Sequence, residues 1–305
     1  MGNLGIKSKK NYNMSFQRRE FLKLTGGIAS GIVLSSFTGK LALNDDFFEK
    51  RRRLKNYGIN LYSLRDVLPK DPKGVLRQVA SFGYTQIESF ESKKGIFWGM
   101  TNTEFKNLMD ELGMNLVSSH IDINKEFEKK VSDAAFIGIE YLVCPSEGAI
   151  KTIDEYKQFA ESLNANAAIC KKNGIRFAYH NHNQSFTTIN GEFPQEVLMQ
   201  NTDPSLVDFE MDMYWVVTAG QDPVAWLKKY PNRFRLCHVK DRTKGSNAIA
   251  DSCTLGRGSI DYPNILKEAK KQGMQFYIVE QENYENTTPI ESAKDNAEYM
   301  KKIKI

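Results

Sequence analysis

Residues 57–90 read YGINLYSLRDVLPKDPKGVLRQVASFGYTQIESF, and the order of segments inside this stretch sets the architecture. YGINLYS (57–63) is a short apolar run of the size of one buried strand. From Asp71 to Phe82 apolar residues return at helical spacing, and Gly83 follows, a residue able to take the left-handed conformation that closes a helix. YTQIESF (84–90) then opens a second strand. A doubly wound open sheet, the runner-up architecture, would carry a glycine-rich phosphate turn after its first strand, and LYSLRDVLP has none. A strand, a helix and a second strand joined by a right-handed crossover form the repeating piece of a closed parallel barrel.

The same unit repeats along the chain. Further strand-like runs stand at 114–120 (MNLVSSH), 139–145 (IEYLVCP), 175–181 (IRFAYHN), 207–212 (VDFEMD), 234–240 (FRLCHVK) and 275–281 (QFYIVEQ). Helical spacing marks Thr101 to Leu112, Ile153 to Lys172, Pro223 to Lys229, Tyr262 to Lys271 and Pro289 to Ile303, and Gly113, Gly138, Gly174 and Gly273 precede later strands. Eight strands alternating with helices over about 250 residues predict a single-domain (β/α)8 TIM barrel at 57–305. The composition agrees with one folded domain, at 41% hydrophobic and 26% charged residues in a chain of 305.

Before the barrel the chain is of another kind. Residues 18–39 read RREFLKLTGGIASGIVLSSFTG, an arginine pair followed by a small-residue apolar run of the kind seen in twin-arginine export signals. That run is shorter than the roughly 20 apolar residues a spanning helix needs. The expected organisation is an export signal at 1–40, a charged linker at 41–56 containing RRRLK, and then the barrel. The expected location is the periplasm, with the membrane involved only through the leader if it stays uncleaved. The net charge is +5, but residues 1–40 hold seven basic side chains against Glu20, a balance of +6. The rest is therefore close to −1, which gives no electrostatic footprint for nucleic acid. Four cysteines without a C-x-x-C pair provide neither a disulfide framework nor a thiolate metal site.

In such a barrel the chemistry sits at the carboxyl ends of the strands. Polar residues collect there: Glu88 on the second strand, His120 on the third, Glu147 after the fourth, His180 and His182 on the fifth, Asp212 on the sixth, His238 and Lys240 on the seventh, Glu280 and Glu282 on the eighth. All four histidines of the chain belong to this set. His, Asp and Glu converging from different strands make a mixed nitrogen and oxygen site suited to manganese, magnesium, cobalt or zinc. Strand alternation in H-N-H at 180–182 directs both imidazoles inward and Asn181 outward.

The segments YHNHNQSF, VDFEMDMYWVVTAGQDPVAWLKKYPNRFRLCHVKD, GRGSIDYPNILKEAKKQG and FYIVEQENYENTTPIESAKDNAEYMKK resemble the sugar phosphate isomerase/epimerase family of xylose isomerase-like TIM barrels. The resemblance implies one divalent metal held by Asp212, His238 and Glu280 with a fourth ligand from the fifth strand. Family members usually place a glutamate there, whereas this chain has Tyr179, His180, Asn181 and His182. His182 is the expected fourth ligand, with Glu147 as the substitute. One glutamate of the two-glutamate proton shuttle is then absent.

The chemistry implied is removal of a proton next to a carbonyl. Glu280, His180, Lys240 and Glu88 are the candidate acids and bases. Glu88, His120, Trp215 and Arg257 are expected to bind substrate, Arg257 by clamping an anion, while Trp215, Phe97 and Trp98 are placed to stack on a sugar. The expected activity is a metal-dependent isomerase or epimerase acting on an unphosphorylated sugar or glycoside. The alternative is a lyase or dehydratase that β-eliminates from a 3-keto-glycoside, and a non-catalytic sugar-binding protein ranks last. The expected partner is a small-molecule sugar, without nucleic acid. A homo-oligomer is the one protein assembly left open.

Overall fold

The computed structural model describes residues 53–146 and 148–305. The leader (1–40), the linker up to residue 52 and Glu147 lie outside the described residues.

Eight parallel strands close a barrel: β1 (Gly58–Asn60), β2 (Gln86–Phe90), β3 (Asn115–His120), β4 (Tyr141–Cys144), β5 (Arg176–His180), β6 (Val207–Asp212), β7 (Phe234–Val239) and β8 (Phe276–Val279). Each pairs with its neighbour in sequence, and β8 pairs with β1. Around them run α1 (Pro72–Ser81), α2 (Asn102–Leu112), α3 (Phe127–Ile137), α4 (Ile153–Lys172), α5 (Pro194–Asn201), α6 (Met213–Thr218), α7 (Pro223–Lys229), α8 (Tyr262–Lys271) and α9 (Pro289–Lys302). The TIM barrel read from the sequence is the observed fold.

Local chemistry explains the helix limits. Thr101 with Glu104, Thr152 with Glu155 and Thr288 with Glu291 form reciprocal capping boxes at the starts of α2, α4 and α9. Gly113 (φ 63°) and Gly138 (φ 80°) close α2 and α3 in the left-handed conformation. The first strand is shorter than its apolar run, because the Asn60 side chain accepts the Tyr62 N–H at 2.7 Å and turns Leu61–Leu64 into a 3-10 helix. A ribbon of Asp241–Arg242 against Ser252–Cys253 escapes sequence reading, since two residues carry no period.

Inside the barrel the side chains are layered. At the amino end, Asp208 accepts hydrogen bonds from Tyr141 Oη at 2.8 Å and Arg176 Nε at 2.5 Å. Above them Val117, Val143, Ala178, Leu236, Phe276 and Ile278 form an apolar plug with the Tyr141 ring. Above the plug the interior turns polar, with Glu88, Glu210, Asp212, His238 and Lys240 all buried. The ladder register shifts beside Glu88 between β2 and β3, and beside Glu210 between β6 and β7. Such irregularities re-aim side chains next to sites.

Candidate metal centre

The centre begins at the ends of β5 to β8. Asp212 closes β6 and caps α6: its Oδ1 accepts the Trp215 N–H at 3.2 Å, which leaves Oδ2 facing inward. The Asn181 amide locks the β5 and β6 ends together, accepting from Asp212 N at 3.1 Å and donating to Asp212 O at 3.2 Å. His180 Nδ1 lies 3.3 Å from Pro145 O, so this nitrogen donates and Nε2 is an acceptor.

His180 Nε2 stands 3.6 Å from Asp212 Oδ2, and Asp212 Oδ2 stands 3.5 Å from His238 Nδ1. Glu280 Oε2, one residue past β8, is 3.3 Å from the same His238 Nδ1. His180 Nε2, Asp212 Oδ2 and His238 Nδ1 are buried and make no hydrogen bond. A tetrahedral ion with bonds of about 2.0–2.2 Å separates its ligand atoms by roughly 3.3–3.6 Å. His180, Asp212 and His238 therefore fit a divalent ion in type and spacing, and Glu280 Oε2 stands beside them next to His238.

Lys240 stands beside this group, buried, with Nζ 2.9 Å from Asp212 Oδ2, 2.8 Å from Glu280 Oε2 and 2.7 Å from Glu282 Oε1. Burial alone would lower its pKa, yet the three carboxylates hold it well above the ordinary lysine value. Burial would raise Asp212 and Glu280, and the Lys240 charge holds both well below the usual carboxylate range. Burial pushes His180 down to about 4, so this imidazole is neutral at pH 7. His238 is held well above the ordinary value against its burial by Glu210, Glu280 and Glu88.

A second group lies beneath. Glu88 Oε1 is 2.7 Å from His238 Nε2, and Glu210 Oε2 is 2.8 Å from His120 Nε2. Glu88 also accepts from Asn60 Nδ2 at 2.8 Å and from Ser118 Oγ at 2.6 Å. Burial would raise the Glu88 pKa, but His120 and His238 bring it down to about 2. Glu210 is raised well above the usual range, by burial first and then by the Glu88 charge.

A cavity of about 790 Å³ opens over the centre, lined by His120, His180, His182, Trp215, Glu280 and Glu282 on the metal side and by Tyr62, Phe90 and Ile121 across from them. Several expectations change here. His180, expected as acid or base, supplies a nitrogen to the converging group, and His182, expected as ligand, stands on the cavity wall with its ring 4.9 Å from that of His180. The reason is that β5 ends at His180. The inward alternation stops, and His182 becomes the residue that precedes a 3-10 turn over Asn183–Phe186. Asn181, expected to point outward, is buried between the strand ends. Glu88, expected at the substrate, does not line the cavity. Arg257 is exposed, pairs with Asp295 at 3.1 Å and is absent from the cavity wall. Phe97 packs on Phe105 and Trp98 donates to Ser89 Oγ, so both serve the core. Glu210 escaped notice, although VDFEMD carries its signal: Asp208, Glu210 and Asp212 alternate and so share the inward face.

Comparison with known proteins agrees with this fold. A sugar phosphate isomerase/epimerase from Parabacteroides distasonis is 31% identical, with a TM-score of 0.69 over 81% of this chain and 94% of that one. Inosose dehydratases from Clostridium tetani and Clostridium beijerinckii are 28% and 30% identical, across 50% and 47% of this chain. The chain spans about half the length of these curated relatives, 51% and 49%. Residues 76–303 match the family model described as xylose isomerase-like TIM barrel. A closed eight-stranded barrel with its buried polar layer at the carboxyl ends, matched over almost its full length, makes this chain a member of the xylose isomerase-like TIM barrel family.

Proposed function

We propose that this chain is a metal-dependent enzyme that removes the proton next to the carbonyl of a keto-sugar and then expels a β-oxygen substituent, a lyase of the dehydratase kind. The observation that carries the reading is the set of His180 Nε2, Asp212 Oδ2 and His238 Nδ1, buried without hydrogen bonds and completed by Glu280 Oε2 at 3.3 Å. These four residues would hold the ion. A divalent ion there would polarise the carbonyl and stabilise the enediolate as a Lewis acid.

The remaining steps belong to side chains. His182, on the cavity wall and outside the donor group, is the base that takes the proton as the C–H bond breaks. The electron pair forms the new C=C bond while the β C–O bond breaks. The departing oxygen takes up the proton that His182 has just received, while Lys240, behind the cavity wall, keeps Asp212, Glu280 and Glu282 together. Trp215 and Phe90 offer apolar faces to the sugar. The names of the Clostridium relatives support elimination. The isomerase or epimerase outcome is the second reading, favoured by the Parabacteroides structure, and differs only in that the proton returns to carbon. The arginine pair Arg18-Arg19 and the apolar run behind it support export, so unphosphorylated sugars and glycosides are the proposed substrates.

The test uses the zinc-loaded protein with an inosose and with a 3-keto-glucoside, followed by NMR in deuterated water. Loss of the substituent with deuterium exchange next to the carbonyl is expected, and His182→Ala should slow elimination by about 10²–10⁴-fold while zinc stays bound. Exchange without elimination would select the isomerase reading. A protein that exchanges no proton from either sugar would overturn the proposal.

A further inference from the structure

Tyr62, Phe136 and Ile249 are the exposed large hydrophobic side chains among the described residues, and Tyr62, at 38%, is the one that lines the cavity. A single exposed ring needs no explanation by itself, but this one belongs to a fixed aromatic row. Its ring meets Phe90 edge to face at 5.2 Å, Phe90 meets Trp98 in the same way at 5.0 Å, and Trp98 Nε1 donates to Ser89 Oγ at 3.2 Å. The Arg65 guanidinium carbon lies 4.6 Å from the Tyr62 ring centroid, and Arg65 donates to the carbonyls of Tyr62 and Glu282 at 3.0 Å each. Tyr62 follows β1, Phe90 ends β2 and Ile121 follows β3, so these three side chains make one apolar wall across neighbouring strand ends.

We infer that this wall is a second subsite, for a neutral aromatic substituent carried by the sugar, and that this substituent is the group expelled when the β C–O bond breaks. The subsite rests on the keto-sugar chemistry proposed above, with the sugar ring at the metal group. The cavity of about 790 Å³ lies in the range of about 300–1,000 Å³ that encloses drug-sized ligands, more than one sugar ring fills. Its ionisable lining, the histidines apart, is Glu91, Asp122, Glu280 and Glu282 against Lys125. A phosphate would call for a guanidinium or ammonium clamp, and this balance repels an anion instead. A second sugar would need partners for its hydroxyls, because a hydroxyl buried without one is costly. The wall offers two rings, one alkyl chain and the single Tyr62 hydroxyl. The charged groups beside it are engaged, Glu91 with Lys130 at 2.7 Å and the Asp122 N–H at 2.8 Å, Arg65 with its two carbonyls. An aromatic group can stack there at little cost in protein order, since the wall rings are already held by their neighbours.

Carbonyl-free glucosides test the subsite without the reaction, because they have no C–H next to a carbonyl. In calorimetric titration of the zinc-loaded protein, phenyl β-glucoside should bind about tenfold more tightly than methyl β-glucoside. Cellobiose and glucose 6-phosphate should gain nothing over the methyl compound. Tyr62→Ala should bring the phenyl-to-methyl ratio close to one and Tyr62→Phe should keep it, as should Phe136→Ala at an exposed ring outside the cavity lining. In turnover, phenol should leave phenyl 3-keto-glucoside at a lower KM than methanol leaves its methyl counterpart. Equal binding of the phenyl and methyl glucosides in wild type would overturn the inference. So would an equal gain from cellobiose or glucose 6-phosphate, a phenyl advantage that survives Tyr62→Ala, or equal KM values for the two keto-glucosides. A Tyr62-dependent phenyl preference in a protein that exchanges no proton from any keto-sugar would instead refute the proposed reaction and leave the binding wall standing.

Discussion

Strand β6 carries Asp208 at one end of the barrel interior and Asp212 at the other, and the two buried acids live in opposite circumstances. Asp208 is surrounded by donors, the Tyr141 hydroxyl and the Arg176 guanidinium, and has the character of a structural pin. Asp212 Oδ2 has an ion-pair contact with Lys240 but no hydrogen bond, and it looks across 3.5–3.6 Å at two imidazole nitrogens that also lack one. Residue type, strand and burial are the same. What separates them is that Asp208 meets only donors, whereas Asp212 Oδ2 has Lys240 on one side and, on the other, two imidazole nitrogens that make no hydrogen bond, a grouping that is costly when buried unless a further cation joins it.

The comparison fails most visibly if the wrong acid controls the metal. Asp212→Asn should weaken zinc by more than the roughly 100-fold loss seen when an outer partner is removed, and Asp208→Asn should leave zinc affinity unchanged, as read by competition with a chromogenic chelator. Equal losses in the two variants would mean that both ends of β6 matter only through the fold.

Stability should follow the opposite order. Zinc at about 100 times its Kd should stabilise wild type by about 2.7 kcal/mol, visible as a rise of several degrees in Tm, and Asp212→Asn should show no such rise. In zinc-free protein Asp208→Asn should cost about 1–3 kcal/mol in urea unfolding, since it removes the charge between Tyr141 and a half-exposed Arg176. An Asp212→Asn variant that is the less stable of the two without zinc would break the distinction between pin and ligand.

The smallest effect belongs to Arg257, whose side chain is 68% exposed in its pair with Asp295. Arg257→Ala should change stability by no more than about 0.5 kcal/mol and leave keto-sugar turnover at the wild-type rate. A raised KM for the sugar would return Arg257 to the site.

The fold was largely legible because each strand of a parallel barrel is buried on both faces and each helix on one. Such burial prints an apolar run followed by helical spacing, as in 57–90. The site was legible where strand periodicity holds to the last residue. Asp212 and His238 stand on β6 and β7, and their inward direction follows from counting in twos. Counting misled at 180–182, where β5 ends at His180 and the chain leaves the strand geometry. It also missed Glu210, because two acids flanking it at alternate positions look alike in one dimension.

The sequence by itself determined the barrel, the strand ends on which the polar residues collect and the donor types that suit a divalent ion, since all of these follow from local periodicity and side-chain chemistry. Only the tertiary structure decided which acid is fully paired with donors and which shares its space with imidazole nitrogens that make no hydrogen bond, that His180 rather than His182 joins Asp212, and that Glu88 serves His238 rather than the cavity. Those outcomes depend on distances of about 3 Å between strands β2, β3, β5, β6, β7 and β8, which closure of the barrel fixes and no local pattern encodes.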